Sequence, residues 1–338
     1  AVEYTVLAKP AVERSVDYLE ADKWSPRFFA ENAVWSYRNP KYAKTILMQH
    51  HLLKLIREFL IGEGFVELLP PVISPSSDPG LRGASKLATV YYGAVYELSS
   101  SLIMYKQLSV GVFEKVFFTA RNVRLEPPDH ASTGRHLSEF TQIDIEWCLS
   151  SAEDVMKLAE ELLASVTKKV ADEYGDLVQS IGLRREPVVL KPPFPRITYD
   201  EALDELKRMG FSVEWGCELP FEAEAALAEK YRVPVWITNY PVKARGFYYL
   251  AKEGDPRYNV DFNLILPEGY GEVIDGGSRE YRYRELVERI KAVGEPVEKY
   301  AWFLEYVKQG AVPPSSGWGL GVERLTAYIA GHKHVVYA

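Results

Sequence analysis

The chain has 338 residues, of which 47% are apolar and 26% charged, so it is too apolar to be disordered and long enough for one large domain. It has no uncharged apolar run of about 18 residues, and no basic region precedes an apolar core at its start, so neither a transmembrane helix nor a signal peptide is predicted. Two cysteines exclude a disulfide framework and indicate a reducing cytoplasm, and a net charge of −7 argues against a broadly basic nucleic-acid-binding surface.

The first predicted elements follow an aperiodic N-terminal segment. Residues 1–44 mix aromatic residues with charges of both signs and are expected to pack on the body as an extension. Apolar residues at helical spacing predict a helix over 46–60, and residues 65–69 predict a buried strand that two prolines end. A capping box at Ser151 begins a predicted helix that runs to about residue 174, with Gly175 as its stop.

The later elements alternate between helices and strands of uneven length. Helices are predicted over 198–210, 221–231, 281–293 and 296–308, and strands over 115–119, 140–148, 233–239, 245–251 and 258–266. This order favours an α+β fold with a mainly antiparallel sheet. We expect one catalytic domain over 45–338, in which the Pro-rich stretch 191–195 leads into a small helical insertion over 196–232.

Polar residues concentrate on two strand-like segments joined by the stretch 127–134. They are Arg121, Arg124, Glu126, Arg135, His136, Glu139, Asp144 and Glu146. Residues two apart on a strand share a face, so Phe140, Gln142, Asp144 and Glu146 point the same way. Arginine suits a phosphate because its planar group donates two hydrogen bonds at once. An exposed hairpin with cross-strand salt bridges is an equally good interpretation of this pattern.

A second group of acidic residues surrounds a glycine-rich stretch. Asp261, Glu272 and Asp275 lie near a predicted glycine turn over 269–280 that also contains Arg279. Carboxylates placed in this way can hold Mg²⁺ while substrate phosphates supply further oxygens. Solvated acids around a simple turn are the alternative.

Two further features have both a functional and a structural interpretation. Residues 317–324 alternate glycine with other residues before an apolar helix, which would let the backbone approach a ligand closely, although the spacing is not that of a dinucleotide site. Lys106 lies among apolar neighbours on a probable helix, where it either meets an anion or extends to solvent. His50, His51, His332 and His334 show no metal-ligand spacing.

The order and spacing of these features resemble the class II aminoacyl-tRNA synthetases of the aspartyl and asparaginyl subgroup. Residues 64–71 resemble motif 1, the segments 123–126 and 134–140 resemble motif 2, and 317–324 resemble motif 3. The resemblance implies an antiparallel sheet flanked by helices and a homodimer formed through the motif 1 helix and strand.

The resemblance also implies a role for each site residue. ATP would bind to Arg124, Glu126, Arg135, His136, Phe140, Glu272, Gly321 and Arg324. The amino acid would bind to Lys106, Gln142, Ser278 and Arg279, and Mg²⁺ to Glu272, Asp275 and Asp261. Arg124, Arg279 and Arg324 would be the catalytic residues. The glutamate with which this family usually holds the amino group is not evident near residues 83–85.

The predicted amino acid is aspartate, because Lys106 and Arg279 make a doubly positive pocket. The chain resembles more closely the archaeal asparagine synthetases related to asparaginyl-tRNA synthetase, since these lack an anticodon-binding domain and share the motif 2 pattern. The scarcity of Gln, Asn, Cys and Met in the chain suits a thermophile. The leading prediction is therefore that aspartate is adenylated by ATP and amidated by ammonia to asparagine. The alternatives are a tRNA ligase core and a non-catalytic regulatory or tRNA-binding paralogue.

Overall fold

The computed structural model describes residue 5 and residues 16–76 and 84–338, and it contains an eight-stranded mixed sheet. The strands in chain order are β1 (Val66–Glu67), β5 (Lys115–Val123), β6 (Glu139–Cys148), β7 (Arg196–Thr198), β8 (Val235–Thr238), β9 (Asp261–Leu266), β10 (Gly271–Ser278) and β11 (Ser315–Gly321). Their order across the sheet is β1-β5-β6-β11-β10-β9-β8-β7, in which only the two outer pairs are parallel. A small second sheet pairs β2 (Ile73–Ser74), β4 (Ala94–Leu98) and β3 (Ala88–Tyr91) in that order.

Ten α-helices surround the large sheet in the described part of the chain. They are α1 (Pro26–Glu31), α2 (Ala33–Ser36), α3 (Pro40–Gly62), α4 (Ile103–Phe113), α5 (Ala152–Ile181), α6 (Tyr199–Arg208), α7 (Phe221–Tyr231), α8 (Tyr283–Ala292), α9 (Ala301–Lys308) and α10 (Val322–Ala330). None of the described helices is both long and apolar enough to span a membrane.

The main core lies on one face of the sheet. Helices α3, α5 and α10 pack there against side chains such as Ile145, Trp318 and Leu320, all of which are fully buried. Burial of this apolar face contributes most of the folding free energy, at roughly 25 cal/mol per Å². The alternation of side chains along β6 and β11 leaves Gln142, Asp144 and Glu146 on the opposite face, beside the glycines of β11, and the candidate site lies on that face.

The structure confirms the α+β fold and the antiparallel centre of the sheet, but several predicted elements are wrong. Residues 245–251 form only isolated bridges, and residues 271–278, predicted as a glycine turn, form a central strand. The glycine-rich residues 315–321, for which no strand was predicted, form another. Gly175 does not end α5, which continues through a kink at Tyr174 and ends at Gly182, a residue with a positive φ of 84°. A residue in this conformation favours glycine, so Gly182 is the true helix stop.

The described part of the N-terminal segment packs against the end of the chain. Phe29 and Tyr42 form an aromatic cluster with Tyr337, with ring centroids 4.8 and 5.7 Å from it. In the segment 196–232, β7 extends the main sheet beside β8, so this segment adds both an edge strand and two helices to the domain. Its status as an insertion remains a prediction.

The buried His332 makes the packing of the N-terminal segment sensitive to acid. Its Nε2 lies 2.8 Å from the Thr45 hydroxyl, its ring stacks on Tyr42, and burial lowers its pKa to about 4. Because the folded state binds this proton less readily than the unfolded state, stability falls as pH decreases from about 6.5 towards 4. We expect the free energy of unfolding to drop by about 2 kcal/mol more between pH 6.5 and pH 5 in the wild type than in His332→Gln. Urea unfolding of both proteins at the two pH values measures this difference, which an equal pH dependence would contradict; the exposed His50→Gln serves as the control.

Candidate active site

Glycines of the strand β11 form the floor of the site. Gly317 pairs with Glu146 and Gly319 with Asp144 across β11 and β6. A Cβ atom on Gly317 would lie 2.2 Å from the Glu146 carboxylate, and one on Gly319 would lie 2.5 Å from the Gln142 amide. Since real Cβ atoms do not come that close to other atoms, only glycine leaves room here for polar side chains from β6.

A cavity of about 310 Å³ opens above this floor. Its polar lining residues are Ser101, Lys106, Arg124, Gln142, Asp144, Lys243, Arg245, Tyr248, Tyr249, Glu272, Asp275, Arg279 and Glu295. Five of these are basic and four acidic. Two further carboxylates, Glu146 and Asp261, lie outside the lining and pair with Arg279 and Arg245.

Lys106 and Arg279, the two cations predicted to bind the amino acid, are both paired with carboxylates of β6. The Lys106 ammonium lies 2.9 Å from Asp144, and Arg279 donates through Nε and Nη2 to Glu146 at 3.0–3.2 Å. Burial alone would lower the pKa of Arg279, but the Glu146 carboxylate raises it above its ordinary value, so the guanidinium stays charged. The predicted pocket therefore contains two cations with fixed counter-charges, and it is not doubly positive.

Arg245 is a buried cation that the sequence did not single out. Its guanidinium lies 2.6 Å from Asp275 and 3.2 Å from Asp261, and it stacks on the Tyr240 ring at 3.7 Å. Tyr249 donates a short hydrogen bond to the other Asp275 oxygen. Burial raises the pKa of Asp261 to about 7, although Arg245 opposes that shift.

A second cavity of about 100 Å³ adjoins the first, and the two share Arg124, Gln142, Glu272 and Gly319. Arg324 donates to the Glu272 backbone carbonyl at 2.9 Å and lies 3.2 Å from its carboxylate. Arg135 lies 2.7 Å from Glu224, so helix α7 of the segment 196–232 reaches the site. The Arg124 guanidinium lies 5.2 Å from the centre of the Phe140 ring.

Two imidazoles lie against this second cavity. The His130 and His136 rings stack with centroids 4.6 Å apart, and His130 Nδ1 lies 2.8 Å from the Glu126 carboxylate. Burial, together with the nearby cations Arg324 and Arg135, lowers the pKa of His136 to about 3, so this imidazole is neutral near pH 7.

The structure brings most of the predicted site residues together. All eight residues predicted to bind ATP line the second cavity, and Lys106, Gln142, Arg279, Glu272 and Asp275 line the first. No glutamate that could hold the amino group was found near residues 83–85, and Gly83 in that stretch lies outside the residues that the structure describes.

Two predicted residues are misplaced. Ser278 lies on the opposite face of the sheet, where its hydroxyl is 2.9 Å from that of Ser316, so it does not reach the amino-acid cavity. Asp261 is buried and lines neither cavity, unlike Glu272 and Asp275, so the structure does not place it beside them as a metal ligand. Arg245, Tyr249, His130 and Glu224 are site residues that the sequence analysis missed.

Comparisons with known proteins agree with this geometry. Residues 26–338 match the family model described as tRNA synthetases class II (D, K and N). The chain is 33% identical over 334 residues to an asparagine–tRNA ligase of Thermococcus gammatolerans, covering 98% of this chain and 76% of that protein. It is 40% identical over 282 residues to an aspartate–tRNA(Asp/Asn) ligase of Methanopyrus kandleri, covering 83% of this chain and 63% of that protein.

A solved structure matches over nearly the whole chain. The asparaginyl-tRNA synthetase of Pyrococcus horikoshii complexed with asparaginyl-adenylate superimposes with a TM-score of 0.86 and 31% identity, covering 94% of this chain and 72% of that one. The mixed sheet, which carries the glycine floor and the two joined polar cavities, therefore has the class II synthetase fold. The chain belongs to the class II tRNA synthetases of the D, K and N group.

Proposed function

We propose that the protein activates L-aspartate with ATP and transfers the aspartyl group to a tRNA. The observation that carries this proposal is the set of cationic side chains in the first cavity, where Lys106 and Arg279 line the wall together with Arg124, Lys243 and Arg245. The aspartate side chain ends in a carboxylate, whereas that of asparagine ends in a neutral amide, so cationic donors in the wall favour aspartate.

The residues of the second cavity suit the activation step. A carboxylate oxygen of aspartate attacks the α-phosphorus of ATP, the bond to the β-phosphate oxygen breaks, and pyrophosphate leaves with that electron pair. Negative charge develops on the phosphoryl oxygens, and Arg124 and Arg324 line the cavity from different elements, as a pair of clamping cations should. Arg324 is already oriented by the Glu272 carbonyl, so little reorganisation is needed.

Glu272 and Asp275 fit a magnesium ion by their chemistry. Both offer hard carboxylate oxygens, and Glu272 lines both cavities, next to the place where phosphates would meet the amino acid. When bound, Mg²⁺ would neutralise charge on the ATP phosphates. Asn263 holds one Glu272 oxygen at 2.8 Å and thereby fixes the carboxylate.

The acceptor is the part of the proposal that differs from our leading prediction. The comparisons do not support ammonia, because the similar proteins named above are tRNA ligases of the aspartate and asparagine types. We therefore favour tRNA, whose terminal hydroxyl would attack the aspartyl carbonyl and release AMP. A non-catalytic paralogue is disfavoured, because both cavities keep their arginines and carboxylates.

One experiment distinguishes the acceptors. Purified protein is incubated with ATP, Mg²⁺ and labelled aspartate, and either tRNA or ammonium is added. We expect acid-precipitable aspartyl-tRNA with tRNA and no free asparagine with ammonium. Free asparagine that appears only with ammonium would overturn the tRNA proposal and restore ammonia as the acceptor.

We also propose a homodimer through the edge of the sheet that contains β1. Val66, Leu69 and Val72 are 41%, 95% and 66% exposed along this edge, which is unusual for adjoining apolar residues. Sedimentation velocity should give the mass of a dimer, and a monomer at micromolar concentration would contradict it.

Gly319→Ala should disrupt the floor shared by the two cavities. The new Cβ would lie 2.5 Å from the Gln142 amide and 3.0 Å from the Asp144 carboxylate, so both side chains must shift. We expect the rate of aspartate activation to fall by about 100-fold, since displacements of about 1 Å in such a site cost that much. Gly62→Ala is the matched control because nothing lies within 4 Å of its Cβ position. Equal activation rates for the two variants would contradict this account of the floor.

A further inference from the structure

We propose that Glu126, His130 and His136 form a binding site for a transition-metal ion of the Zn²⁺ type, separate from the magnesium ligands. Each residue offers one ligand atom, and these atoms lie within 4.8 Å of one another. Among the side chains that the structure describes, no other group of three His, Cys, Asp or Glu residues meets this condition. Imidazole nitrogen with one carboxylate is a donor set that suits Zn²⁺ and leaves a fourth position open.

The hydrogen bonds around His136 orient it as a ligand. The single proton of the Thr133 hydroxyl is donated to the His130 carbonyl at 2.8 Å, so His136 Nδ1, 2.8 Å from the same hydroxyl, must be the donor to it. The His136 Nε2 lone pair is then available to a metal. Histidines that bind metals usually donate their other nitrogen in this manner, which fixes the ring and its tautomer.

The local backbone brings the three residues together. They lie along the connection between β5 and β6: Glu126 before, His130 within and His136 after a 3-10 helix over Pro128–Thr133. Gly134 then reverses the chain with a φ of 69°, and a Cβ there would lie 3.1 Å from the Lys333 carbonyl. The side chain of Glu126 is only 13% exposed and that of His130 only 28%, so an ion bound between them would be partly shielded from water.

This site differs from the magnesium ligands in its chemistry. Mg²⁺ prefers oxygen ligands and keeps several waters, whereas two imidazoles favour a softer ion. Because Glu126 and His136 also line the second cavity, an ion bound here would occupy part of the space assigned to ATP.

Calorimetry with Zn²⁺ and absorption spectroscopy with Co²⁺ test the site in the full chain without nucleotide. The wild type should bind one ion per chain, with the visible spectrum of tetrahedral cobalt, even in excess Mg²⁺. Thr133→Val should weaken binding by about 10–100-fold and His130→Ala by more. His50→Ala, which removes an exposed histidine from α3, should bind as the wild type does.

The outcomes are decisive in either direction. Absence of binding by the wild type, equal affinity in His130→Ala, or loss of binding in His50→Ala would overturn the proposal. If His130→Ala does not fold, X-ray absorption spectroscopy of the zinc-loaded wild type tests the site instead. Two imidazole ligands are expected, and a spectrum without imidazole ligands would contradict the site. These measurements involve no aspartate or tRNA, so they are independent of the proposed ligase activity.

Discussion

Replacing Arg279 by alanine should abolish aspartate-dependent pyrophosphate exchange and lower the free energy of unfolding by about 3–5 kcal/mol. The reason for both effects is the ion pair with Glu146, in which the two side chains are 2% and 0% exposed. Without Arg279, Glu146 keeps the Ser315 hydroxyl at 2.8 Å and the Lys106 ammonium only at 4.0 Å, so a buried carboxylate loses its principal partner. The cavity also loses one of the cations that can pair with the aspartate carboxylate.

A double variant separates the loss of binding from the loss of stability. Arg279→Met combined with Glu146→Gln removes both charges while keeping the shapes of the side chains, so most of the stability should return. Aspartate activation should remain absent, because the cation is still missing. Chemical unfolding and pyrophosphate exchange on the single and double variants measure the two effects. Recovery of activity in the double variant would show that Arg279 does not contact the substrate.

Arg324→Ala should reduce the rate of activation by about 100- to 1,000-fold, the usual effect of removing one donor to a developing negative charge. Arg324 lies on α10 and contacts β10 through the Glu272 carbonyl and carboxylate. Its loss should therefore raise the KM for ATP as well as lower kcat, while the affinity for aspartate changes little. Arg257→Ala is the matched control, since its ion pair with Asp255 is exposed. If Arg324→Ala had the kinetics of the wild type, Arg324 would not be an ATP-binding residue.

The ATP residues were predictable from the sequence because they lie in short continuous motifs. Arg124, Glu126, Arg135, His136 and Phe140 fall on two adjacent antiparallel strands and their connection, so local order determines their proximity. The glycine-rich strands were harder to predict from the sequence. A run such as 315–321 has little intrinsic strand preference and is held in the sheet by neighbours on both sides, which sequence alone does not show.

A bulge in β10 determines which of its residues face the cavity. A bulge between Glu272 and Ile274 turns Glu272 towards the same cavity as Asp275, although residues three apart on a regular strand face opposite ways. No bulge follows, so Ser278, three residues after Asp275, faces away. Arg245 was missed because it contacts Asp261 and Asp275 only after distant segments have folded together.

Amino-acid-dependent exchange of labelled pyrophosphate into ATP tests the central proposal most directly. Purified protein with ATP and Mg²⁺ is supplied with aspartate, asparagine or lysine separately. We expect exchange with aspartate, and rates with asparagine and lysine close to the background measured without amino acid. Exchange with asparagine but not aspartate would contradict the proposed substrate.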